Sequence, residues 1–65
     1  MKPKNKRSAY HLVADEARAE ERLRNYRQAY GLWTTASSLA VDETNRVWAD
    51  ARSEYCRRRM SLVSK

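Results

Sequence analysis

Tyr26-Arg-Gln-Ala-Tyr30-Gly31-Leu-Trp33-Thr-Thr-Ala-Ser-Ser38-Leu-Ala40-Val41-Asp42-Glu43-Thr-Asn45-Arg-Val-Trp48 is the stretch that decides the fold, because the chain must reverse somewhere inside it. Helix propensity weakens through Thr34–Ser38, and Asp42 followed by Glu43 reads as an N-cap with an acidic first turn. That places the turn at residues 38–42. Its rival is Gly31 as the residue just past a helix end, which would stop the first helix at Tyr30. Against the rival, a seven-residue apolar spacing runs through Gly31 unbroken, and an internal glycine costs only about 1 kcal/mol. Either turn gives an all-α, antiparallel two-helix hairpin.

Working outward, the seven-residue spacing covers most of the chain. Leu12, Ala19, Tyr26, Trp33 and Ala40 form one series, with Leu23 and Tyr30 between them, and Val41, Trp48, Tyr55 and Leu62 form a second. Such spacing predicts helices packed along narrow seams, close to coiled-coil geometry. Ser8 is the expected N-cap of helix one, about residues 9–37, and helix two covers about 43–62. Glu20 with Arg24, Asp42 with Arg46 and Glu54 with Arg58 stand at the i,i+4 spacing that supports a helix. Residues 1–7 lack periodicity and read as a disordered basic arm, leaving 8–65 as one helical hairpin domain.

Length sets the energetic frame. A chain of 65 residues buries only about 60% of its unfolded surface, and domains of this size usually need a disulfide, a metal or another subunit. Cys56 is the sole cysteine and His11 the sole histidine, so neither an internal disulfide nor a four-ligand zinc site fits. Association into a homodimeric bundle, or with a protein partner, is the expected support. One Gly and one Pro argue against a β-rich fold. No apolar run is long enough for a membrane span, and a lone thiol without an export signal points to the reducing cytoplasm.

The net charge of +6 is unevenly placed. Lys2, Lys4, Lys6 and Arg7 crowd one end, and Arg57, Arg58, Arg59 and Lys65 the other, while residues 8–56 carry six arginines against eight acids. The ends are candidate phosphate contacts, whose attraction would be sequence-independent and salt-dependent. No helix combines a basic face with the side chains of a major-groove reader, so nucleic acid ranks second to a protein partner. Cys56 lacks an obvious base and reads as a small buried hydrophobe, although Arg57–Arg59 would favour its thiolate. No phosphate loop, carboxylate dyad or nucleophile elbow is present, so no enzyme activity and no cofactor are expected. Trp33 and Trp48 are expected to face each other across the turn as core, whereas Leu23, Tyr26 and Tyr30 divide between core and partner contact.

The second half, Asn45-Arg-Val-Trp48-Ala49-Asp-Ala51-Arg52-Ser-Glu54-Tyr55-Cys56-Arg-Arg58-Arg59, resembles the ANR proteins, small negative regulators of AraC-type activators in enteric and related bacteria. Upstream, Ala14–Glu20 and the Tyr26, Ala29, Leu32, Trp33, Ala36, Leu39, Ala40 pattern look like that family's first half, so the likeness spans residues 10–59. The resemblance implies a protein that binds an AraC-type transcription factor and hinders its dimerisation or DNA binding, with the nucleoid protein H-NS as a further implied partner. It marks Asn45, Trp48, Ala49, Arg52, Tyr55 and Cys56 as family positions. Trp48, Ala49, Tyr55 and Cys56 read as fold-keeping, Asn45 as fixing the turn, and Arg52 as pairing across the hairpin with Asp15 or Glu16. The basic arm and Gly31 depart from the family pattern. Two other function classes stand beside the antagonist: a basic nucleic-acid-binding or nucleoid-associated module, and a purely structural oligomerisation hairpin.

Overall fold

The computed structural model describes residues 8–63, and among them the chain forms three helices: α1 (Ala9–Arg22), α2 (Tyr26–Leu39) and α3 (Glu43–Val63). The basic arm 1–7 and Lys65 lie outside the described residues. Ser8 caps α1, its hydroxyl accepting from the His11 N–H at 3.3 Å. Asp42 caps α3, its carboxylate accepting from the Thr44 N–H at 3.3 Å while its carbonyl accepts from the Arg46 N–H at 3.0 Å. The turn between α2 and α3 thus falls at residues 40–42.

The two-helix hairpin is corrected to three helices, because the helix expected over 9–37 breaks at Leu23-Arg24-Asn25. The Arg24 N–H donates to the Glu21 carbonyl at 2.9 Å and the Asn25 N–H to the Glu20 carbonyl at 2.9 Å, the paired bonds of a Schellman ending. That motif needs a left-handed residue, and Arg24 supplies it with φ 65. The Glu20–Arg24 pair does not form; Asn25 Nδ2 instead donates to Glu20 Oε1 at 2.8 Å. Asn25 then serves as the residue before α2, so one short segment both ends α1 and starts its neighbour.

The physical reason for the break lies in the inward-facing rows. Tyr10, Ala14, Ala17 and Glu21 follow a 4-3-4 rhythm, and Tyr26, Ala29, Trp33 and Ala36 follow 3-4-3, but five residues separate the rows. At 100° per residue a continuous helix would set the two rows about 110° apart, so neither could share one seam. Breaking the chain lets α1 and α2 fold back and face their rows together. α2 is the element against which both neighbours pack. Its antiparallel run against α3 is marked by Ser37 Oγ donating to Asp50 Oδ1 at 2.5 Å near the turn, and by Tyr26 meeting the Tyr55 ring at 6.3 Å further along.

The core consists of Tyr10, Tyr26, Trp33, Cys56 and the alanines 14, 17, 29, 36 and 49, with Val13, Tyr30, Leu32, Ala40 and Met60 packed at its edge. Alanine rows permit close helix approach, and Trp33 and Cys56 are its largest fully buried side chains. The seven-spaced seam is therefore corrected as well. Of those nine positions only Tyr26 and Trp33 are buried, Ala40 is half-buried, and the other six are exposed. On α3 the inward row runs Asn45, Ala49, Arg52, Cys56 and Arg59.

The two backbone exceptions are reversed with respect to residue type. Gly31 lies mid-helix without positive φ, and an added Cβ there meets nothing within 4 Å. Arg24 occupies the position that favours glycine. Gly31→Ala and Arg24→Gly should each stabilise the fold by about 0.5–1 kcal/mol, raising Tm by roughly 2–8 °C apiece in thermal melts. A fall in Tm for either would refute its assigned conformation.

Candidate functional site: the Glu21–Arg52 centre and the outer face of α3

Glu21 ends the inward row of α1, and its carboxylate is where the three helices meet. Trp33 Nε1 of α2 donates to Oε2 at 2.5 Å, and from α3 Arg52 Nε and Cys56 Sγ donate to the same oxygen at 3.3 and 3.5 Å. Arg52 Nη2 donates to Oε1, making the ion pair two-pronged. Burial alone would raise the Glu21 carboxyl, but the Arg52 and Trp33 hydrogen bonds, the Arg52 charge and the Cys56 thiol together hold it below its ordinary value. Arg52 thus pairs across the fold with Glu21, not with Asp15 or Glu16; Asp15 holds Arg18 on its own helix at 2.8 Å.

Cys56 is fully buried, and burial first, then the Glu21 charge and its hydrogen bond, push the thiol up to about 12. The neighbouring arginines do not offset this. Arg57 and Arg58 turn to Glu54, at 3.1 and 3.5 Å, and Arg59 lies over the Tyr26 ring at 5.4 Å. His11 bonds through Nδ1 to Ser8 Oγ at 2.8 Å. Among the described residues no group of three His, Cys, Asp or Glu side chains is placed to hold a metal ion, and no helix is long and apolar enough to cross a membrane.

The α3 positions singled out by the sequence resemblance divide between two faces of the helix. Ala49 and Cys56 are buried and Asn45 is half-buried, whereas Trp48 is 48% and Tyr55 40% exposed. The expected facing pair of tryptophans does not exist: Trp33 is fully buried and Trp48 stands outside. Trp48, Tyr55 and Leu62 form an outer stripe, because seven residues bring them to one side of the helix. Arg52 lies 4.4 Å from the Tyr55 ring centre and 5.8 Å from that of Trp48, tying the stripe to the centre beneath. A groove of about 340 Å³ opens beside Trp48, lined by Arg18, Glu21, Arg22, Trp33, Trp48 and Arg52. Of the other partner-contact candidates, Tyr26 is core, Tyr30 half-buried and Leu23 exposed.

The candidate phosphate contacts are less available than their sequence suggests. Arg57 and Arg58 share Glu54, and Arg59 is packed with its Nε buried and without a hydrogen-bond partner. Lys2, Lys4, Lys6 and Arg7 lie outside the described residues. Sequence reasoning missed Glu21, although a signal existed. An acid continuing the Tyr10, Ala14, Ala17 row, and a base between Ala49 and Cys56, each interrupt an apolar row at a helical step.

Two outcomes follow from the centre. A depressed carboxyl contributes stability that is fully present above its ordinary value near 4.5 and is lost as pH falls through the lower folded value. Glu21→Gln should therefore destabilise the protein by about 2–3 kcal/mol at pH 7 by orphaning Arg52, and should flatten the acid limb of a Tm-against-pH profile. An unchanged acid limb would remove Glu21 from its central place. For Cys56, a thiol that titrates near 12 predicts labelling by a disulfide reagent at pH 8 only as fast as the chain opens. Burst labelling of folded protein would show a reactive thiolate.

Compared with known proteins, the chain matches no family model, no curated protein and no solved structure at a significant level.

Proposed function

We propose that the protein is a non-enzymatic transcription regulator that docks the outer face of α3 onto an AraC-type activator in the bacterial cytoplasm and hinders its dimerisation or DNA binding. The observation that carries the reading is the stripe Trp48, Tyr55, Leu62, which leaves large apolar side chains in water on a helix whose opposite face is core. Exposed aromatics at helical spacing suit helix-to-helix recognition. The contact of Arg52 with both rings limits the freedom they would lose on binding. The AraC-type partner class rests on the resemblance of residues 10–59 to the ANR proteins. Protein contact is favoured over nucleic acid because the described basic residues of the C-terminal turns are engaged by Glu54 and Tyr26.

Antagonism then needs no chemistry. If the stripe covers a helix that the activator uses for its own pairing, the two associations exclude each other, and the effect is stoichiometric. The test is binding of a purified AraC-type activator from the host bacterium, after nuclease treatment and across a salt series, with sedimentation reading self-association separately. Trp48→Ser and Tyr55→Ser should each weaken binding by about tenfold or more. Trp48→Ser should change fold stability by only about 1 kcal/mol, since that ring is half exposed. Undiminished binding by both variants, or binding that disappears with nuclease or by ~0.2 M salt, would overturn the reading.

A further inference from the structure

We infer that the groove between α1 and α3 beside Trp48 is a subsite for an acidic side chain of a partner helix. The inference rests on the docking role of the α3 stripe and adds to it the chemistry of the segment that docks. The lining holds three guanidinium groups and one carboxylate. That carboxylate, Glu21, is consumed by Trp33, Arg52 and Cys56, and Arg52 is consumed in return. Arg18 is held by Asp15 and lies 5.9 Å from the Trp33 ring centre. Arg22 differs from both: it is exposed in the last turn of α1 and makes no ion pair or hydrogen bond through its side chain among the described residues. The groove therefore joins an unengaged cation to the half-exposed face of Trp48.

A carboxylate beside an apolar group complements that combination, the acid meeting Arg22 and the apolar group covering the indole. At about 340 Å³ the groove is at the small end for ligand sites, so it accommodates side chains of a longer segment rather than a whole nucleotide. Charge within the groove points the same way. Its lining sets three arginines against the single carboxylate of Glu21, a local positive balance that favours an acid there. The matching occupant is an amphipathic helix with an Asp or Glu flanking the apolar face that covers Trp48 and Tyr55.

The probe is a displayed library of helix-forming peptides of about 16 residues, selected on the full chain. Recovered peptides are remade with each Asp or Glu replaced by its amide and titrated by tryptophan fluorescence against wild type, Arg22→Gln, Arg22→Lys and Trp48→Ser, after melts confirm folding. One acid-to-amide change should weaken binding to wild type about tenfold, by less than twofold on Arg22→Gln, and by nearly the wild-type factor on Arg22→Lys. An equal loss on wild type and Arg22→Gln would overturn the subsite. Peptides that need Trp48 but ignore the acid would overturn it while leaving the docking reading intact. Failure to select any peptide would overturn both. Displacement of bound peptide by a DNA duplex, with affinity lost in Arg22→Gln, would replace the acidic helix with phosphate.

Discussion

The Glu21 carboxylate is the constraint on which the rest of the structure depends. α1 and α3 both pack on α2, and Glu21 adds a polar tie from α1 to each of the other two. An ionised acid in such a place is costly unless its lone pairs are filled. Here an indole, a guanidinium and a thiol fill them, and each donor comes from the inward row of its own helix. A row of alanines packs closely but tolerates sliding. Fixed donors at one carboxylate do not, so the centre specifies register where the apolar surface is too small to do so.

Much of the fold is legible from the residues, and the failures have physical causes. The helix starts at Ser8 and Asp42 are readable because a side-chain oxygen one step before a helical pattern has a defined task. The break at residues 23–25 is hidden, because the chain uses Arg24 where a left-handed glycine would have announced it. The only trace is the five-residue step from Glu21 to Tyr26, which breaks the rhythm of threes and fours. Seven-residue spacing conceals that step, since Leu12, Ala19, Tyr26 and Trp33 pass straight across it. Large side chains drew that pattern, whereas small ones make most of the core.

The same bias governs the reading of the site. Trp33 and Trp48 look equivalent in sequence, and size alone assigns both to the interior. What separates them is the neighbour one residue on: Trp48 precedes Ala49 and Tyr55 precedes Cys56, and the smaller member of each pair faces α2. On a helix adjacent residues lie about 100° apart, so burying the alanine and cysteine turns the aromatics toward water. Trp33 belongs instead to the row of Ala29 and Ala36 and points inward with them.

This arrangement gives Arg52 two tasks. Its nitrogens bind Glu21 on the inner side, and its guanidinium lies against the rings of Tyr55 and Trp48 on the outer side. The outer stripe is thus not an independent patch painted on a helix; its rings rest on a cation held by a half-buried acid. A partner covering those rings removes water from the same guanidinium and strengthens its attraction to Glu21, since both interactions gain as the local dielectric falls. Binding at the surface and order in the core then favour each other, which suits a chain too short to be rigid through apolar burial alone. The large aromatics left outside forgo apolar burial in the isolated chain, and a partner that covered them would return it.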